Sequence, residues 1–381
     1  MSGFSFFPGP RVLAGSDRAA EAVAKLPPGP TLFVTDRGIT ELGLDRPWRD
    51  ALAVAGNSLI IFDNVEADPS RDTLLAAVAV GREHGACSVI GFGGGSPMDV
   101  AKLAAYLLGS GDDLDAIWGV DVAAGPRLPL MLVPTTAGTG SEATPIAVIT
   151  CDGGTKFAVN ARPLTADWAV LDASLTLGLP RHVTAATGID AIVHAVEAFT
   201  SARLKNPMSD LLAREALGLL AANLVTACDE PDNIDTRSAM LLGAHLAGLA
   251  FANAPVGGVH ALAYPLGGMH HLPHGLSNAL MLRAVLEHNL EAARALYAEL
   301  APIIDPGCAA SGSQGRARAL IDGLERLCAA TGLPLRLRDH GIERGDVPAL
   351  ASEAMKQTRL LVNNPCPISE ADARRLYEAA W

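Results

Sequence analysis

The hydrophobic and polar positions of this chain follow two periods, one after the other. Up to residue 177, short runs rich in β-branched residues alternate with helical stretches: TLFVTD (31–36), SLIIFD (58–63), CSVIGF (87–92) and PLMLVP (129–134), with an amphipathic segment from Asp72 to His84 before the third. Runs of this length separated by helical patterns predict an α/β domain on a parallel sheet. Two further apolar runs, PIAVIT (145–150) and WAVLD (168–172), flank a turn at Asp152-Gly153-Gly154. At the start, Phe4 to Phe7 and Arg11 to Leu13 are expected to form an edge hairpin that turns at Pro8-Gly9-Pro10.

After Leu179-Pro180 the β-branched runs stop. HVTAATGIDAIVHAVEAF, SDLLAREALGLLAANLVTAC, RSAMLLGAHLAGLAFANA, LIDGLERLCAATG and EADARRLYEAA place apolar residues three and four apart, the spacing of helices with one buried face. The pattern predicts two domains, 1–177 α/β and 178–381 all-helical.

Composition narrows the function. A chain of 381 residues, 49% hydrophobic, is long enough for two buried cores. A formal net charge of −12 and the lack of a basic arm exclude a nucleic-acid partner, which would need clustered Lys and Arg. MSGFSFFPGPRVLAG has no cationic start followed by an apolar core, so no signal peptide is expected. The six cysteines contain no CxxC pair, which predicts free thiols in a reduced, cytoplasmic setting.

One run has an unusual charge pattern. Ser238 to Leu282 contains no Lys, Arg, Asp or Glu, yet it holds His245, His260, His270, His271 and His274. Pro255, Gly257, Gly258, Pro265, Gly267, Gly268 and Pro273 interrupt it, so the roughly 20 clean apolar residues of a membrane span are not reached. Upstream, in GIDAIVHAVEAF, Asp190 and His194 stand four apart and share a helix face. Asp190, His194, His260 and His274 together form a mixed oxygen and nitrogen set of the kind that binds Fe(2+) or Zn(2+).

A second signal follows the third strand, in Gly91-Phe92-Gly93-Gly94-Gly95-Ser96-Pro97-Met98-Asp99. Ser96 as N-cap, Pro97 in the first turn and Asp99 closing a capping box predict a helix start. Glycines just before that start let backbone N–H groups approach an anion such as a pyrophosphate. The spacing is not GxGxxG, because Ser96 stands where the last glycine belongs. Asp36, at the end of the first strand, suits ribose hydroxyls and repels a 2′-phosphate, favouring NAD over NADP, although Arg37 beside it suits NADP. The loop Pro134-Thr135-Thr136-Ala137-Gly138-Thr139-Gly140-Ser141-Glu142 has the hydroxyls and backbone freedom to hold the nicotinamide half.

GGGSPMDVAK, PTTAGTGSE, GIDAIVHAVE and GGVHALAYPLGGMHHLPHG, in this order, resemble the iron-dependent (group III) alcohol dehydrogenase family over nearly the whole chain. The resemblance implies a Rossmann-like parallel-sheet domain followed by an all-α domain, the dehydroquinate synthase-like fold. It also implies metal ligation by Asp190, His194, His260 and His274, with Fe(2+) the expected ion and Zn(2+) the alternative. NAD(H) would lie across Asp36, Gly94, Gly95, Ser96, Asp99, Thr135, Thr136, Thr139 and Lys156. The implied reaction moves hydride between nicotinamide and a small primary alcohol or aldehyde, in a homodimer or larger homo-oligomer.

Two positions depart from the family pattern. Tyr264 stands where many members carry a proton-relaying His, which leaves Tyr264 itself and His270 as relay candidates. A phenol with a reference pKa near ~10 carries protons less readily at neutral pH than an imidazole near ~6.5. Asp68-Pro69-Ser70 replaces a common Asn-Pro-Thr. Alternatives within the fold are a glycerol dehydrogenase-like or maleylacetate reductase-like enzyme; outside it, a metal-dependent hydrolase would use the same four donors to activate water.

Overall fold

The computed structural model describes residues 3–151 and 156–381; the turn expected at Asp152-Gly153-Gly154 lies outside them. The described residues divide into two compact units, Pro8–Leu177 and Gly178–Trp381, with residues 3–7 joining the second.

Among its described residues the first unit has nine strands: β1 (Arg11–Ala14), β2 (Thr31–Val34), β3 (Leu59–Phe62), β4 (Ser88–Gly93), β5 (Gly119–Val120), β6 (Leu130–Pro134), β7 (Ile146–Thr150), β8 (Lys156–Asn160) and β9 (Trp168–Leu171). Six of them form a parallel sheet in the order β1-β9-β6-β4-β2-β3. Five helices accompany it: α1 (Ala19–Val23), α2 (Arg37–Leu42), α3 (Arg46–Val54), α4 (Arg71–Glu83) and α5 (Gly95–Ser110).

The central strands β2, β4 and β6 are buried along their whole length, as strands covered on both faces must be. Side chains alternate between the two faces. Leu32 and Val34 join the core of α4 and α5, whereas Phe33 turns to the opposite core, where it meets Phe92 at 5.3 Å between ring centroids. Trp48 of α3 closes edge-on against Phe92 at 5.7 Å.

The strand order changes direction between β2 and β4, which makes the carboxyl edge there a topological switch point, the usual ligand position of an open α/β sheet. Because β6, β4 and β2 are neighbours, the loops after all three emerge side by side. They are the TTAGTG loop, the glycine turn and Asp36.

One detail of the sequence reading is corrected and one is added. No hairpin forms at the start: Arg11–Ala14 pairs in parallel with β9, and Phe7 bonds instead to Asn253, donating N–H to Oδ1 at 2.6 Å and accepting from Nδ2 at 2.9 Å. The 145–150 run is not part of the main sheet. It pairs antiparallel with β8, a strand the sequence pattern did not reveal, in a separate sheet of order β5-β8-β7.

The second unit contains α6 (Arg181–Thr200), α7 (Pro207–Asp229), α8 (Ile234–Asn253), α9 (Gly258–His270), α10 (His274–Ile304), α11 (Ser313–Thr331), α12 (Val347–Ala354), α13 (Thr358–Leu361) and α14 (Glu370–Ala380). α6 is its centre, with every residue from Gly188 to Ser201 buried. A helix enclosed in this way must compensate each polar side chain it carries, and it carries Asp190, His194 and Glu197.

α9 runs on through Pro265, Gly267 and Gly268, so the proline and glycines do not break the segment there as the sequence suggested. A proline in a helix forfeits one backbone bond, and burial of the segment together with Tyr377, whose hydroxyl donates to the Leu262 carbonyl at 2.6 Å, holds the helix around it. By length and composition one helix among the described residues, α7, would suffice to cross a membrane; α8 and α9 qualify only as a pair, and they are bent by 106°.

Candidate metal centre and nucleotide cradle

α6 presents Asp190, His194 and Glu197 along one stripe, because positions three and four apart stack on a helix face. His260 comes from the first turn of α9 and His274 is the first residue of α10. α10 can approach α6 this closely because residue 275 is glycine: a β-carbon there would lie 2.3 Å from the Ala186 carbonyl oxygen and 3.3 Å from Asp190 Cβ.

Asp190 Oδ1 lies 3.9 Å from His194 Nε2, 3.8 Å from His260 Nε2 and 3.7 Å from His274 Nε2. All four donor atoms lie within 4.8 Å of one another. A tetrahedral set with bonds of about 2.1 Å requires donors about 3.4 Å apart, so small side-chain adjustments would close this group on one cation. Three imidazoles with one carboxylate suit a divalent transition ion. Burial pushes the Asp190 carboxyl up, but His194, His274, His260 and the Asn278 amide outweigh it and hold the group below its ordinary range.

The rings pack as a stack. His194 and His260 lie 4.7 Å apart, His260 and His274 5.4 Å, and Phe251 stacks against His194 at 4.5 Å. Tyr264, one turn after His260, meets His274 edge-on at 5.8 Å. His270 sits at the far end of α9 with Nε2 3.9 Å from Asp346 Oδ2, and His271 ends the helix in a left-handed conformation.

Two residues at this site were missed in the sequence. Asn278, one turn after His274, directs Nδ2 to Asp190 Oδ1 at 2.6 Å and lies 3.2 and 3.3 Å from the Nε2 atoms of His260 and His274. Glu197, the last residue of GIDAIVHAVE, receives the Val259 N–H at 2.7 Å and stands 2.6 Å from His260 Nδ1. The recurrence of polar residues on one face of an otherwise apolar helix was the available signal for Glu197; only the i, i+4 offset from His274 pointed to Asn278.

In the first unit, α5 begins one residue before Ser96, with Gly94 as N-cap and no side chain capping it. The expected capping box therefore does not form. Gly93 takes φ +147°, a conformation available to glycine, and a β-carbon there would sit 2.8 Å from Pro97 Cγ and 3.4 Å from Asp36 Oδ2. On the other side, positions equivalent to β-carbons on Gly94 and Gly95 lie 3.6 Å from Thr136 Oγ1 and 3.0 Å from Thr139 Cγ2. Thr135 is buried and ties its N–H to the Gly93 carbonyl at 2.9 Å. Asp36, Gly93 to Ser96 and the threonine loop thus surround the uncapped end of α5, where N–H groups favour an anion.

Asp36 also caps α2, accepting from the Ile39 N–H through Oδ1 at 3.0 Å, which leaves Oδ2 towards the glycine turn. Arg37 turns to Asn64 Oδ1 at 2.5 Å. Lys156 pairs with Asp68 at 2.6 Å, so the departure at Asp68-Pro69-Ser70 directly touches a candidate nucleotide residue.

Asp99 does not cap. Its carboxylate accepts from Ser141 Oγ at 2.6 Å and the Val148 N–H at 2.9 Å, and it stands 3.6 Å from Lys102 Nζ. Lys102, fully buried, donates to Ser141 Oγ at 2.7 Å, Thr144 Oγ1 at 3.4 Å and the Ile146 carbonyl at 2.6 Å. The pair fastens the far end of the threonine loop to α5.

A sheet with a nucleotide-type cradle at its switch point, followed by a helical unit with a mixed Asp/His centre, defines a metal-dependent oxidoreductase of the dehydroquinate synthase-like fold. The chain belongs to the iron-containing alcohol dehydrogenase family: the profile described as iron-containing alcohol dehydrogenase matches residues 9–173, and that of the family's C-terminal part matches 184–381. It is 39% identical to long-chain-alcohol dehydrogenase 1 of Geobacillus thermodenitrificans, over 96% of this chain and 93% of the relative. It superposes on a crystal structure of 1,3-propanediol oxidoreductase with a TM-score of 0.96 at 32% identity, over 100% of both chains. Another similar structure is sulfoacetaldehyde reductase from Bifidobacterium kashiwanohense in complex with NAD+, with a TM-score of 0.88 at 27% identity over 100% of this chain and 99% of that one. Family membership makes the chain an oxidoreductase acting on alcohols and aldehydes, and decides against the hydrolase alternative.

Proposed function

We propose that this chain interconverts a small primary alcohol and its aldehyde with NAD(H), using a divalent ion, iron first, held by Asp190, His194, His260 and His274. The convergence of those four donor atoms within 4.8 Å carries the reading. When bound, the ion supplies Lewis acidity to the substrate oxygen, and the nicotinamide exchanges the hydride.

The remaining roles belong to the protein. One carboxylate and three neutral imidazoles give the donor set a single negative charge, so a divalent cation keeps a net +1 for an anionic oxygen. Asn278 steadies Asp190 through Oδ1. Phe251 and the Tyr264 ring shield the imidazoles on which they pack. The first turn of α5 binds the pyrophosphate, Thr135, Thr136 and Thr139 line the loop beside it, and Lys156, paired with Asp68, contributes its charge to the nucleotide site. Asp99 serves the cradle by fastening that loop. A reduced, cytoplasmic setting accords with cysteines that contain no CxxC pair, and a homodimer or larger homo-oligomer with the resemblance.

Anaerobic purification, metal analysis and an NADH-oxidation screen over short and long aldehydes test the reading. Turnover without bound metal, or none with any aldehyde in the iron-loaded protein, would refute it.

Asp36 Oδ2 is the acceptor for a ribose 2′-hydroxyl and the charge that repels a 2′-phosphate. Asp36→Ser keeps a capping oxygen, so the loss of helix stability stays below the ~1 kcal/mol of an uncapped helix. The variant is expected to raise the ratio of NADPH to NADH turnover about tenfold or more, measured as kcat/KM for each. An unchanged ratio would remove Asp36 from the nucleotide site.

Of the two relay candidates Tyr264 is the better supported, because it touches His274 while His270 faces Asp346. We read its ring rather than its hydroxyl as the working part. Tyr264→Phe is expected to hold kcat within about threefold of the parent, whereas loss of a general acid would cost about 10²–10⁴-fold. A fall into that second range would make the phenol the relay.

A further inference from the structure

We propose that Glu197 is a positioning residue for the metal centre: it locks His260 in the one tautomer and orientation that turn the Nε2 lone pair towards the other donors. The proposal rests on the ligand set above.

Glu197 is 6% exposed, on the α6 face that carries Asp190 and His194. Its two oxygens are used separately, Oε1 by the Val259 N–H at 2.7 Å and Oε2 by His260 Nδ1 at 2.6 Å. An ionised carboxylate only accepts. With Glu197 as a carboxylate the short contact at Oε2 is made by an N–H on Nδ1, and in a neutral imidazole this leaves the lone pair on Nε2.

That nitrogen faces the donor group, 3.8 Å from Asp190 Oδ1 and in hydrogen-bond contact with Asn278 Nδ2 at 3.2 Å. Because Val259 and His260 are consecutive, the two bonds fix both the first turn of α9 and the ring it carries. Glu197 also lines a small cavity of about 10 Å³ together with Thr200, Leu286, Asn289 and Tyr297 among others. That is room for about one water. Glu197 is not itself a ligand, since the imidazole stands between it and the other donors.

Outer partners of this kind typically tune metal affinity by about 10–100-fold. Glu197→Gln preserves shape but offers one acceptor and one donor to two N–H groups. One bond must then fail or the ring must change tautomer.

The test is Zn(2+) titration of metal-free full-length protein against a chromophoric chelator, with His260→Ala as reference and the thermal midpoint of each metal-free protein recorded. Glu197→Gln is expected to raise the Zn(2+) Kd about 10–100-fold while the metal-free midpoint stays within a few degrees. An unchanged Kd, or a lowered midpoint with an unchanged Kd, would overturn the proposal and leave Glu197 a structural residue only. If His260→Ala also binds Zn(2+) as tightly as the parent, the ligand set itself fails. If His260→Ala binds weakly and Glu197→Gln normally, only the present inference fails. Should Glu197→Gln not fold, Glu197→Asp withdraws the carboxylate by one methylene and is held to the same Kd criterion.

Discussion

His274→Ala is expected to yield a folded protein that retains little metal and turns over on the order of 10³-fold more slowly than the parent. His274 is the first residue of α10 and its side chain is 31% exposed, so its removal opens no core cavity. What it removes is one of the four proposed donors, leaving only Asp190, His194 and His260 to hold a cation. If the metal is lost with it, so is transition-state charge stabilisation of several kcal/mol, and each ~1.4 kcal/mol is a factor of ten in rate.

Asp190→Asn is the companion experiment, because it keeps the shape of the side chain and removes the only negative charge in the set. It should also lose metal, while Asn278 retains an oxygen to bond. Metal content by mass spectrometry and kcat on the same samples decide the matter: full occupancy with normal turnover in either variant would remove these residues from the centre. Chelator treatment of the parent should abolish activity, and ferrous iron should restore it.

The legibility of the chain depended on how local each signal was. Buried central strands read well because β2, β4 and β6 are unbroken apolar runs covered on both faces, and the shared helix face of Asp190 and His194 could be read because they lie on one helical turn. β8 was missed because KFAVN is a short, partly exposed strand in a small secondary sheet, where burial imposes little pattern.

Misreadings at the glycine turn and in α9 have a common origin. Ser96, Pro97 and Asp99 have the side chains of a capped start, yet the helix begins at Gly95 because Asp99 is drawn into the Lys102 and Ser141 network, a tertiary partner some forty residues away. Pro265 suggested a break by local rule, and tertiary packing around α9 overrode it. Glu197 and Asn278 were hidden for the opposite reason. Each is an unremarkable polar residue until a contact 63 or 88 residues distant gives it a role.

Lys102→Met should be the most destabilising of the single substitutions considered, by about 3–5 kcal/mol, because it breaks a buried ion pair from one side. Methionine retains much of the stem, so the change is chiefly electrostatic. Lys102 Nζ has three acceptors in Ser141, Thr144 and Ile146, with Asp99 3.6 Å away, and none of these can be served by a thioether.

Burial already drives the Asp99 carboxyl up and the Lys102 ammonium down, each opposed by the other's charge. Without Lys102, burial acts on Asp99 with less opposition. A carboxyl whose folded-state pKa is raised contributes its stability below the unfolded value, about 3.9, and loses it as pH rises through the folded value. The deficit of Lys102→Met against the parent should therefore be largest near neutrality and shrink as pH falls towards ~4.

Asp99→Asn combined with Lys102→Met should recover much of the loss, since the stranded charge is gone while an amide oxygen still faces Val148. Three of the four tryptophans, Trp48, Trp118 and Trp168, lie in this unit, so denaturation followed by their fluorescence reports on it. Because Ser141 ends the threonine loop, the KM for NADH should rise in the single variant as well. A deficit below about 1 kcal/mol that does not vary with pH would mean that the pair is solvated in solution and does not fasten the loop.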